Sequence, residues 1–355
     1  LFASNIFKSE HHVDALSTII RLTRGTSYPR DEQGARDLVD AYYRFSLEEG
    51  KFLAMHALKQ EDRDTCSVLL LNLALLVPGA LSDVYPEIID RDLFLWGPHF
   101  YNAPQEICEE LAKRLKCETD QRKCAQWVEA LAWAGSDFAQ KKLAEAVHEN
   151  QEYRDLIPVA GWELTADGRR RDLFFHESYE LILDETTGSD FLSTSCRWCR
   201  EPLLVPFDLD LSGQRFEDFG ITRKTLRIAV CGKCIAFQPI YQKINASGEP
   251  GWHPFNQKPE YPLDEYDVCE FVEILINGRL VIGNQAGSPR ELVAWLPTVS
   301  NRLGGLPGWV QSPEYPLCVN CKKRMKFLAQ FDYGCVCYAF ICQDCGVAAS
   351  TTQFD

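Results

Sequence analysis

The sequence lacks an apolar run long enough to cross a bilayer. Its strongest, Val68 to Val77, is short and is broken by Asn72. No signal-peptide core follows Leu1-Phe2-Ala3-Ser4-Asn5, so the sequence predicts a cytoplasmic protein with no membrane partner. An excess of Lys and Arg is also missing. With 37 basic against 51 acidic side chains, the formal charge is −14, and both halves of the chain are acidic. Binding to phosphate backbones draws on a basic surplus, so nucleic acid is disfavoured overall and a protein with a basic face is the expected partner.

Catalytic signatures are absent too. The chain contains no His-Glu-x-x-His, no Gly-x-Ser-x-Gly, no phosphate-binding Gly-x4-Gly-Lys and no dinucleotide fingerprint. His176-Glu177-Ser178 misses the His-x-Glu spacing of the zinc deaminases. The seven histidines are scattered. These absences predict a protein that is not an enzyme and has no catalytic residues.

What the chain does have is cysteine, fifteen in all. Eight fall in four Cys-x2-Cys pairs: Cys196 and Cys199, Cys231 and Cys234, Cys318 and Cys321, Cys342 and Cys345. Two intervening residues let one tight turn present both thiolates to a single ion, and Zn²⁺ takes four such ligands in a tetrahedron. The pattern predicts two structural Zn²⁺ sites, one from the first two pairs and one from the last two. In the upstream site 31 residues separate the pairs, against 20 in the tail. An exchange of pairs between the sites is the variant arrangement. The other seven cysteines, Cys66, Cys108, Cys117, Cys124, Cys269, Cys335 and Cys337, read as small buried hydrophobes in a thiol-reducing compartment. Alternation puts Cys335 and Cys337 on one strand face, where packing is favoured over ligation.

The expected fold class is α+β, with a helical domain over 1–155 and a β-rich, zinc-braced domain over 156–355. Apolar residues recur at three and four positions in Ser9 to Thr23, Asp31 to Glu49 (closed by Gly50), Lys51 to Leu58, Asp64 to Leu76, Pro104 to Lys116, Asp120 to Trp133 and Ser136 to His148. Strands are expected over Trp162 to Thr165 and Arg169 to Phe175, joined through Ala166-Asp167-Gly168, and over Phe207 to Leu211, Thr225 to Val230, Phe271 to Ile276, Lys326 to Phe331 and Cys335 to Ile341. Gly248 to Leu263 reads as an ordered loop rich in Pro, Gly and aromatics.

Two stretches resemble known families. Leu131-Ala132-Trp133-Ala134-Gly135-Ser136-Asp137 resembles the inter-helix turn of HEAT-like repeats, an irregular helical bundle being the plain alternative. Arg302-Leu303-Gly304-Gly305-Leu306-Pro307-Gly308-Trp309-Val310-Gln311, with Phe327-Leu328-Ala329-Gln330-Phe331-Asp332 after it, resembles the YwqG-like family of bacterial domains of unknown function. Members of that family look like immunity proteins of polymorphic toxins. The resemblance therefore implies an antitoxin that binds a cognate toxin and covers its active site; the cysteines are not part of the family pattern.

For such a partner the candidate contacts are Trp252, Phe255 and Tyr261, with the acids Asp264, Glu265 and Asp267. Two alternatives stand beside the immunity reading. One is a zinc-ribbon nucleic-acid binder using Lys322, Lys323, Arg324 and Lys326 or Arg169 to Arg171, and the other is an unrecognised enzyme.

Overall fold

A computed structural model describes residues 39–94, 97–186, 191–235, 238–258, 278–294, 301–332 and 335–354. They fall into two compact units: helices form the first, and a β-rich second unit follows, as the α+β reading expects. The first holds the described residues up to Arg171 together with 290–294; the second holds those from Asp172 to Pro289 and from 301 onward.

In the helical unit four helices start where a side chain satisfies free N–H groups of the first turn. Helix α1 (Leu47–Ala57) begins with a capping box between Ser46 and Glu49, and α2 (Arg63–Leu76) with Asp62 accepting from the Thr65 N–H. A short α3 (Tyr85–Asp90) precedes α4 (Gln105–Cys117), α5 (Gln121–Ala134) and α6 (Asp137–Glu149); Asp120 caps α5 and Ser136 caps α6. The last three pack on one another. Gly135 closes α5 at φ +64°, the left-handed conformation that a helix C-cap favours.

The structure corrects the expected helix from Asp31 to Glu49. Ser46 and Glu49 start a new helix there, and Gly50 lies inside α1 rather than after a helix end. A Cβ on Gly50 would stand 2.7 Å from Val77 Cγ1, so close packing explains this glycine. The Ser9 to Thr23 helix lies outside the described residues.

The boundary expected between 155 and 156 also moves, to 171–172. The hairpin of β1 (Trp162–Leu164) and β2 (Arg170–Asp172) belongs with the helices for a physical reason. The Trp162 indole N–H donates to the Ala132 carbonyl at 2.9 Å, and Arg170 stacks on Trp162 while donating to the Gly135 carbonyl.

The second unit comprises β3 (Phe175–Asp184), β4 (Phe191–Ser195), β5 (Pro202–Asp210), β6 (Thr225–Val230), β7 (Ile240–Ile244), β8 (Pro250–Trp252), β9 (Arg279–Gln285), β10 (Arg302–Gly305), β11 (Lys326–Asp332), β12 (Val336–Cys342) and β13 (Val347–Gln353). Eight form one sheet in the order β8-β7-β13-β12-β11-β10-β3-β9, and β4-β5-β6 form another. The two sheets enclose a core in which Phe207 of β5 meets Phe331 of β11 edge to face at 5.4 Å. A second cluster, with Trp309, Tyr315, Tyr338 and Phe340, covers the other face of the large sheet. Burial on both faces replaces alternation with nearly continuous burial along β5, β11, β12 and β13. Part of the loop expected over Gly248 to Leu263 is strand β8, paired with β7. The strand expected over Phe271 to Ile276 lies outside the described residues.

The motif residues at the tail serve this architecture. Gly304 and Gly305 both have positive φ, and a Cβ on Gly304 would collide with the Glu177 carbonyl. The Gln330 side chain accepts from the Gly308 N–H at 2.8 Å, and Gln353 accepts from the Gln311 N–H at 3.0 Å.

Candidate metal centres

The four Cys-x2-Cys turns pair as their sequence order suggests. Cys196, Cys199, Cys231 and Cys234 converge in one cluster (centre 1), and Cys318, Cys321, Cys342 and Cys345 in another (centre 2); within each cluster the sulfur atoms all lie within 4.8 Å of one another. No pairs are exchanged between them.

Local backbone geometry explains the convergence. In both first knuckles the residue after the second cysteine is left-handed although it is not glycine: Arg200 at φ +71° and Lys322 at φ +60°. That turn lets the Arg200 N–H reach the Cys196 carbonyl at 3.0 Å and the Lys322 N–H reach the Cys318 carbonyl at 2.9 Å. The Cys196 N–H then donates to Glu201, and the Cys318 N–H to Lys323, each at 2.8 Å. Both second knuckles end a strand, β6 leading into Cys231 and β12 into Cys342. In centre 1 the Lys233 ammonium meets the Glu201 carboxylate at 3.0 Å, tying the two knuckles together.

The sulfur spacings fit a tetrahedral ion. A Zn–S bond of about 2.3 Å gives a sulfur–sulfur edge of about 3.8 Å. The structure has 3.9 Å from Cys196 to Cys234, 3.4 Å from Cys199 to Cys231 and 3.7 Å from Cys321 to Cys342. These separations are far beyond the ~2.05 Å of a disulfide. Four soft thiolates suit a tetrahedral thiophilic ion, and a shell they fill leaves no position for a reacting water.

Each cluster contains a thiol poised to ionise. Hydrogen bonds from the Cys231 and Cys234 thiols, followed by backbone N–H groups of Cys199 and Trp198, hold Cys196 well below the usual thiol range. Its neighbours pay the opposite way, Cys231 and Cys234 being raised chiefly by their bonds to Cys196. At Cys321, burial pushes the thiol up, but the Lys323 N–H and the neighbouring thiols outweigh it and bring the group down to about 7. The centres differ in exposure: Cys196, Cys231 and Cys234 of centre 1 are buried, whereas in centre 2 Cys318 is buried and Cys321, Cys342 and Cys345 are of intermediate exposure.

Of the remaining cysteines, Cys66, Cys108, Cys124 and Cys337 are buried as expected. Cys337 packs in the core between the sheets with Cys335 at its edge, and neither belongs to a four-thiol cluster. Cys117 departs from the expectation, being exposed at the end of α4. Cys269 lies outside the described residues.

The structure also places two of the candidate partner contacts. Trp252 meets Trp198, inside the first knuckle of centre 1, edge to face at 5.0 Å. Phe255 is 48% exposed, and the Lys322 ammonium of centre 2 lies 5.2 Å from its ring centre. Tyr261, Asp264, Glu265 and Asp267 lie outside the described residues. The supporting roles of Arg200, Lys322 and Trp198 were not read from the sequence; the basic residue that follows each first knuckle was the available signal.

Among the described residues, no helix is long and apolar enough to cross a membrane. Compared with known proteins, the chain is 24% identical over 389 residues to the uncharacterised protein YpfL of Salmonella typhimurium, an alignment spanning 98% of this chain and 89% of that protein. No family model matches the chain, and no solved structure matches it.

Proposed function

We propose that this chain is a cytoplasmic, zinc-braced binding protein in which two Zn²⁺ ions act as structural ligands and a protein is the partner. The observation that carries the reading is the convergence of eight thiols into two four-sulfur clusters with tetrahedral spacing. When bound, zinc crosslinks two knuckles that are distant in sequence and so stabilises the strands between them. The chain's own residues set the turns, Arg200 and Lys322 through left-handed backbone and Glu201 with Lys233 through an ion pair.

The resemblance of the tail to immunity proteins, together with the charge of −14, favours a toxin domain with a basic face as the partner. The role is then to cover that domain's active site, without chemistry of its own. Metal analysis of the purified chain tests the first part: two zinc ions per chain support it, and well under one, with no loss of stability on chelation, sinks it. Co-expression with the protein encoded beside it tests the second, since failure to copurify or to rescue growth removes the immunity reading.

One observation favours nucleic acid as a second reading. The half-exposed Phe255 ring beside Lys322, with Lys323 next in sequence, is a combination that can stack a base and meet a phosphate. A salt-sensitive complex with single-stranded RNA or DNA would support it.

A further inference from the structure

We propose that the two four-cysteine centres are two copies of one metal module and bind metal as a coupled pair, each helping to hold the other's ligands in place. This rests on the metal-centre reading above and adds to it a relation between the sites.

Strand register carries the first half. In each module the fifth residue after the first knuckle pairs with the residue just before the second: Leu204 with Val230, and Lys326 with Ile341. Further along, Phe207 pairs with Ile228 as Ala329 does with Ala339, Asp208 with Arg227 as Gln330 with Tyr338, and Leu209 with Leu226 as Phe331 with Cys337. Asp210 opposite Thr225 matches Asp332 opposite Val336. Both ladders shift register at the same place, between Leu204 and Phe207 in one and between Phe327 and Ala329 in the other. A register fixes which side chains face the core, so the same register, the same shift and the same first-knuckle turn mark one design used twice. The longer spacing in centre 1 falls between β5 and β6, where the 3₁₀ turn Gln214–Phe219 buries Phe216 and Phe219, and so it leaves the knuckles unaltered.

Three connections between the modules carry the second half. Strand β7, which follows the Cys234 knuckle, pairs with β13, which leaves the Cys345 knuckle, from Ile240 opposite Ser350 to Lys243 opposite Val347. The segment from Trp252 to Phe255 reaches from Trp198 of the first centre to Lys322 of the second. Gln343, between the cysteines of a centre 2 knuckle, donates to the Phe219 carbonyl in the centre 1 insertion at 2.8 Å. Metal bound at either centre orders backbone that the other also needs, and ordering shared by two ligands makes their binding cooperative.

Zinc titration of the reduced, metal-free full chain against a competing chelator tests this. Cys196→Ser with Cys231→Ser disables centre 1, and Cys318→Ser with Cys342→Ser disables centre 2. The zinc affinity of the remaining centre is expected to fall at least about fivefold in both variants, and by the same factor, because coupling is reciprocal. A change of less than about twofold in either direction overturns the coupling while leaving both metal sites standing. A parent chain that binds fewer than two zinc ions overturns the metal reading itself.

If a cysteine variant loses its fold by circular dichroism, Phe255→Ala with Gln343→Ala carries the test, since it keeps all eight thiols. The parent should bind its two ions cooperatively, and this variant should still bind two but with weaker cooperativity. Two independent, equal titrations in the parent overturn the proposal.

Discussion

Gln242 uses its side chain as a substitute strand for Ala229. Its amide oxygen accepts from the Ala229 N–H at 2.7 Å, and its amide nitrogen donates to the Ala229 carbonyl at 2.5 Å. Ala229 sits where the β5–β6 register shifts, and Gln242 lies on β7 of the other sheet, so the pair stitches the two sheets together. Replacing it, Gln242→Leu, is expected to destabilise the protein by about 1–3 kcal/mol, because the buried Ala229 N–H loses this acceptor. The carbonyl still receives Ser350 Oγ at 3.3 Å. Denaturant unfolding measures the loss, and an unchanged midpoint would show that the stitch is dispensable.

Gly304→Ala should be among the most disruptive single-atom changes in the chain. The position has φ +73°, and the added methyl meets the Glu177 carbonyl across the β10–β3 ladder. Left-handed strain and the collision together are expected to exceed about 2 kcal/mol. A thermal melt within a degree of the parent would contradict this assignment.

Removing a ligand from centre 2 should lower its metal content without emptying centre 1. Cys345→Ser is expected to take the zinc content from two per chain to one, or to a weakly held second. Elemental analysis after dialysis reads the result and also separates zinc from iron.

Metal binding should strengthen as pH rises. Cys231 and Cys234 have raised pKa values, chiefly through their bonds to Cys196, so they hold protons at neutral pH. Zinc must displace those protons to gain thiolate ligands, and lowering the pH returns them in competition with the ion. Competitive titrations at pH 6 and pH 8 should give the tighter binding at pH 8, with proton release in weakly buffered solution. Equal affinity at both would mean the thiols are not the ligands.

In the helical unit, burial pushes the Glu129 carboxyl up to about 7. The unfolded chain ionises near the ordinary glutamate value and so binds fewer protons than the folded one between that value and 7. Stability from this group is therefore full below about pH 4.5 and is lost as pH rises toward 7. Glu129→Gln should stabilise the protein by about 1–3 kcal/mol at pH 8 and have little effect at pH 4. The difference between unfolding curves at the two pH values is the measurement, and a gain at pH 4 alone would reverse the sign.

Much of the architecture was legible because local chemistry dictates it. Asp120 and Ser136 announce helix starts through side-chain oxygens that need no tertiary partner, and Gly168 announces its hairpin through positive φ. Gly50 was misread because its reason lies in Val77, a contact made by folding and invisible to periodicity. The β1–β2 hairpin was placed with the strands for a similar reason, since only packing shows Trp162 bonded to Ala132.

By itself the sequence determined the set of candidate metal-binding thiols, because Cys-x2-Cys spacing restricts two thiols to one turn wherever that turn sits. Tertiary structure decided which turns meet, that Cys335 and Cys337 stay outside the clusters, and that β7 and β13 join the two centres. Spacing constrains neighbours along a chain, whereas strand order and register bring together residues that no local preference relates.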